Sequence, residues 1–95
     1  MYSLSLSGIP IEFSLKNIFE LPENVDAIFV LLNRSRQGTE YIYWGSGNLR
    51  SELRRLYLDA KVSRHHPEFF NYVEPVGNPQ TLLNRLKQQF PPLIP

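Results

Sequence analysis

The densest run of chemistry-bearing side chains lies between Tyr41 and Tyr57. Tyr41, Tyr43 and Trp44 are followed by Gly45 and Gly47, then Asn48, then Arg50, Glu52, Arg54 and Arg55. Tyr and Trp favour a pleated surface, and the glycines permit the positive backbone angles of a tight turn. Asn48 is a good N-cap, since its side-chain oxygen can accept an orphan helix N–H. Leu49, Leu53 and Leu56 recur at i, i+4 and i+7, one apolar face, and leave the arginines largely on the other. A strand that ends, through glycines, at a helix N-terminus flanked by arginines could hold a phosphate, because free N–H groups and the helix dipole both favour anions. The same pattern also describes a well-capped strand–turn–helix that binds nothing.

Charge is unevenly spread. In residues 1–33 only Lys16 stands against Glu12, Glu20, Glu23 and Asp26, a balance of −3. Residues 34–66 carry Arg34, Arg36, Arg50, Arg54, Arg55, Lys61 and Arg64 against Glu40, Glu52 and Asp59, a balance of +4. An acidic partner would therefore meet the central third, although a pI near 8.1 falls short of the balance common in nucleic-acid binders. The absence of cysteine excludes disulfides and thiolate metal sites. His65 and His66 precede Pro67, but adjacent histidines point apart and no carboxylate has ligand spacing with them, so surface histidines are the simpler reading. Trp44 could stack on a base or fill the core; its place at a strand end favours the core.

The elements that position these residues can be read along the chain. Ninety-five residues, 42 % hydrophobic, suit one globular domain with a small core. Tyr2 to Ser7 alternates with period two, Gly8-Ile9-Pro10 could turn a hairpin, and Ile9, Ile11 and Phe13 resume the alternation. Pro10 confines that segment to a sheet edge. Ser14 is suited to cap a short helix from Leu15 to Glu20, ahead of Pro22. Ala27 to Leu32 reads as a buried strand, Asn33 to Gly38 as a polar loop, and Thr39 to Trp44 as the antiparallel partner strand. The helix from Asn48 runs to Tyr57 or Ala60, and a second short helix could fill Leu58 to His66. Phe69 to Val76 reads as a strand with Phe70 and Tyr72 on one face. Asn78 and Pro79 open a last helix whose stripe is Leu82, Leu83, Leu86 and Phe90, stopped by Pro91-Pro92.

Tyr43-Trp44-Gly45, followed by Asn48-Leu49 and a basic helix, resembles the second half of a GIY-YIG nuclease domain. Ala27-Ile28-Phe29, introduced by Leu21-Pro22-Glu23-Asn24, is similar to the first half. The resemblance covers residues 21–95, with 1–20 as an N-terminal extension, and lies in order and spacing; no motif is intact. It implies an α+β fold in the order β-β-α-(α)-β-α, a small three-stranded antiparallel sheet packed by helices, which the N-terminal strands could extend. It also implies phosphodiester hydrolysis with two tyrosines near the phosphate, a helix arginine, and a glutamate on the last helix holding Mg²⁺ or Mn²⁺.

Carried onto this chain, those roles fall on Phe29, which has no hydroxyl, on Tyr43, on Glu52 and on Gln80. A carboxylate replaces the guanidinium that would offset transition-state charge. A neutral amide replaces the oxygen ligand a hard cation needs. Arg54 or Arg55 could substitute for the lost arginine, while Glu68 and Glu74 are the nearest carboxylates to the third strand. The expectation is a catalytically degenerate GIY-YIG-like domain with no cofactor, binding DNA or RNA through Tyr43, Arg50, Arg54 and Arg55, with Arg34 and Arg36 joining the surface. The alternatives are a protein-interaction module that pairs with a partner through its N-terminal strands, and a divergent nuclease using Mg²⁺ or Mn²⁺. No apolar run approaches the ~20 residues that span a bilayer and no signal-peptide pattern opens the chain, so a cytoplasmic protein without membrane contact is the default expectation.

Overall fold

The computed structural model describes residues 9–75 and 77–95; the Tyr2–Ser7 alternation and Gly8 of the expected hairpin turn lie outside them. Eight elements follow in order: β1 (Ile11–Glu12), α1 (Leu15–Phe19), β2 (Asp26–Ser35), β3 (Gly38–Asn48), α2 (Leu49–Tyr57), α3 (Ala60–Ser63), β4 (Phe69–Val73) and α4 (Pro79–Gln89). The strands form one antiparallel sheet in the order β1-β4-β2-β3. The chain is thus an α+β domain, with β1 adding a short fourth strand beside β4.

β2 is central and explains its unbroken apolar run. Phe29 and Leu31 join Ile42, Leu49, Leu53 and Leu56 in one buried cluster, whereas Ile28, Val30 and Leu32 join Trp44, Leu83 and Leu86 in another. Both faces of β2 are covered, α2 packing on one and α4 on the other, so Ala27 to Leu32 are all buried without alternation. β4 splits in the same way, Phe70 and Tyr72 belonging to the first cluster and Phe69 and Val73 to the second. α1, α2 and α4 begin where the sequence predicts, whereas α3 starts at Ala60 and spans only part of the expected Leu58 to His66. Ser14, Asn48 and Asn78 accept hydrogen bonds from backbone N–H groups of α1, α2 and α4, and Asp59 does the same for α3.

Three expectations need correction. No tight turn separates strand from helix at Gly45 and Gly47. β3 continues through both, paired as far as Asn48 opposite Asp26, and leads straight into α2. Gly45 is required instead by packing, since a Cβ there would lie 2.6 Å from Phe29 Cζ and 2.9 Å from Tyr43 Cε1. Gly47 alone of the two has a positive φ, +130°. The loop expected over Asn33 to Gly38 shrinks to Arg36-Gln37, because Asn33 and Arg34 pair with Glu40 and Thr39 in the ladder. β4 ends at Val73, three residues before the expected limit.

A register shift between Leu31 and Leu32 leaves Ile42 unpaired between Tyr41 and Tyr43. This bulge sends Ile42 and Tyr43 to the same face, where both pack with the first cluster. Beyond Pro91-Pro92 the tail lies along the outer edge of β3: Leu93 N–H donates to Tyr41 O at 3.0 Å and Ile94 N–H to Ile42 O at 2.9 Å. Trp44 is buried, and its indole N–H donates to Phe90 O at 2.8 Å. Its ring faces Tyr41 and Phe90, so it serves the core and is not available to stack on a base. No helix among the described residues is long and apolar enough to cross a membrane.

Candidate nucleic-acid interface

Asn48 ties two segments together at the start of α2. Its Oδ1 accepts from Ser51 N–H at 3.0 Å, while its Nδ2 donates to the backbone carbonyl of Glu23 at 2.6 Å. Leu49 N–H donates to Val25 O at 2.9 Å. Two first-turn donors are therefore engaged within the chain. An anion here would depend chiefly on guanidinium groups, less on the bare helix end than the sequence suggests.

Those groups converge on one open cleft of about 640 Å³ between the α1–β2 connection and α2. Phe19, Glu23, Asn24, Asn48, Arg50, Ser51, Arg54 and Arg55 line it. Arg50 and Arg54, four apart, lie on the same side of α2. Their guanidinium carbons stand 5.4 and 5.8 Å from the centroid of the Phe19 ring, within cation–π range. Arg50 also pairs with Glu23 at 2.8 Å, through a carboxylate that is 78 % exposed. Arg54 forms no ion pair among the described residues. Charges held at this exposure are readily exchanged for another anion, because a surface ion pair contributes at most about 1 kcal/mol.

Arg55 bonds Glu52 at 3.0 Å, and its pKa is raised, first by that hydrogen bond and next by the Tyr43 side chain. Tyr43 is half-buried and stacks on Phe29, with ring centroids 6.4 Å apart and planes at 28°. Phe29, Tyr43 and Glu52 are thus brought to one face, with Arg55 beside them. Phe29 itself is fully buried.

Gln80 does not belong to this group. It opens α4, the helix of the opposite layer, and its exposed amide donates to Asn84 at 3.1 Å. Glu68 and Glu74 flank β4 at its two ends, so they do not meet. Asn33 accepts from Glu68 N–H and donates to His66 O, which fixes the backbone there and leaves His66 exposed, with φ of 51°. Among the described residues no three His, Asp or Glu side chains gather. Gln80, at the position where the resemblance implies a metal-holding glutamate, offers a neutral amide, a poor ligand for a hard cation.

Arg34 and Arg36 lie at the hairpin end of β2 and β3, whereas Asn48 pairs with Asp26 at the other end. Arg34 lies eight residue steps along β2 from Asp26, roughly 26 Å at the rise of a strand. Those two arginines form a separate patch. Phe19 and Glu23 escape a reading of the sequence, for their role comes from packing against a helix some thirty positions later. The one signal is Phe19 beside Ile18 in a helix too short to bury both. No protein-family model matches this chain, and neither a curated protein nor a solved structure matches it significantly.

Proposed function

We propose that this is a degenerate GIY-YIG-like domain that works by binding the sugar–phosphate backbone of nucleic acid, not by cutting it. The observation that carries the reading is the convergence of Arg50, Arg54 and Arg55 on one cleft. The order of strands and helices supports the family resemblance. Hydrolysis is disfavoured because Glu52 and Gln80 stand where that family uses an arginine and a metal-holding glutamate. Arginine contacts to phosphate position a strand without reading its sequence, so binding is expected to be broad.

Titration of a labelled oligonucleotide at two salt concentrations tests this. The double variant Arg50→Ala with Arg54→Ala should weaken binding to all sequences alike. It should also flatten the salt dependence by about one logarithmic unit for each phosphate no longer neutralised. Affinity unchanged by the double substitution would refute the proposal. The second reading is a protein partner paired along β1, favoured by that strand's position at the sheet edge. Such pairing rests on main-chain hydrogen bonds and should respond weakly to salt.

A further inference from the structure

We infer that α1, outside the family-like region, converts the cleft into a site for an unpaired base, with Phe19 as the stacking platform for single-stranded nucleic acid. This rests on the backbone-binding reading above and goes further than it, by naming the form of nucleic acid bound.

The argument begins with a misplaced apolar side chain. In the five-residue helix, Ile18 is fully buried and Phe19, its neighbour, is 48 % exposed. A singly exposed apolar side chain is ordinary on a protein surface; this ring is set apart by the two guanidinium groups within cation–π range of it. Here it is held in a defined place. Ser14 caps α1, accepting from Asn17 N–H at 3.3 Å, and Glu20 and Leu21 close its end with backbone bonds to Lys16 and Ile18. Asn48 then clamps the connecting segment at Glu23 to the start of α2. The ring is thus fixed in the lining of the cleft, with the guanidiniums of Arg50 and Arg54 over it.

What fits such a rim must be anionic and carry a flat π-face. A purely apolar segment would leave the guanidiniums unmatched, and a plain phosphate, by drawing them off the ring, would leave Phe19 bare. A nucleotide presents both chemistries in one unit. Phosphate oxygens would take Arg50 and Arg54, displacing Glu23 from Arg50, while the base stacks on Phe19. In a duplex the bases are already stacked and their faces closed, so the strand must be single.

Fluorescence anisotropy with end-labelled oligo(dT) and oligo(U) of about twelve nucleotides, a size one small domain can cover, provides the test. An abasic strand and a duplex of the same length complete the set. Phe19→Ala and Phe19→Leu should weaken binding to oligo(dT) and oligo(U) by roughly five- to a hundred-fold, the range expected for loss of one base–aromatic stack. Phe19→Trp should retain or improve it. None should change binding to the abasic strand, which keeps the phosphates alone. The duplex should bind more weakly than the single strands. Phe19→Leu keeps an apolar side chain and so decides the matter even if Phe19→Ala unfolds. Wild-type affinity for the single strands in Phe19→Leu, with the arginine double variant still impaired, would overturn the stacking site and leave backbone binding intact. Preference for the duplex would overturn it as well. Absence of arginine-dependent binding to any of the four probes would overturn both.

Discussion

Gly45 lies beneath the ring of Phe29, its ladder partner on the central strand, so closely that a methyl group on its Cα would stand 2.6 Å from Phe29 Cζ. Phe29 is fully buried and cannot swing aside. Gly45→Ala is therefore expected to destabilise the fold by about 1–3 kcal/mol, the usual range for overpacking. Urea unfolding measures it. Phe29→Leu removes the clashing atom, so the double variant should be more stable than the sum of the two single effects. Strict additivity would show that the ring is not the obstacle.

Asn48 separates stability from binding. Asn48→Ala loses the cap and should cost about 1 kcal/mol. Asn48→Asp keeps an oxygen for Ser51 N–H and suits the helix N-terminus. It lacks the amide donor to Glu23 O and adds a negative charge to the cleft. Thermal unfolding should place it near wild type, while oligonucleotide affinity falls. Equal loss of stability in both variants would mean that the bond to Glu23, not the cap, is what matters.

Glu23 competes for Arg50 with any phosphate that enters. Glu23→Gln should raise oligonucleotide affinity by up to about five-fold, the equivalent of one exposed ion pair. The gain should vanish in an Arg50→Ala background. A loss of affinity would assign Glu23 the opposite role, that of holding Arg50 in its binding position.

Much of the framework was legible in the chain. Ser14, Asn48 and Asn78 announce their helices by local hydrogen-bonding chemistry, which needs no tertiary partner. The apolar run of β2 announces burial on both faces. The glycines mislead, because a glycine demanded by a neighbouring ring looks the same in sequence as one demanded by a turn. Position along the sheet is equally hidden. A charge count groups Arg34 and Arg36 with Arg50 and Arg54, but antiparallel pairing sends the first two to the far end. The contact of Phe19 with Arg50 and Arg54 depends on how α1 and α2 pack, which no local pattern encodes.

The protein is expected not to cut DNA or RNA at an appreciable rate. Arg55 supplies a guanidinium beside Tyr43, yet Glu52 is bonded to it and offsets its charge. Loss of one preorganised donor typically raises a barrier by ~2.7–4 kcal/mol, a factor of roughly a hundred to a thousand. Gln80, on the opposite layer, offers an amide where a hard cation needs a carboxylate. The assay is nicking of supercoiled DNA and cleavage of single strands in Mg²⁺ and, separately, in Mn²⁺. Neither substrate should be cut above the buffer control. Metal-dependent cleavage that persists through purification and disappears in Tyr43→Phe would overturn this expectation. A parallel loss in Arg55→Ala would then identify Arg55 as the substitute for the missing helix arginine, and Glu52→Gln, which frees Arg55 from its carboxylate, should raise that rate.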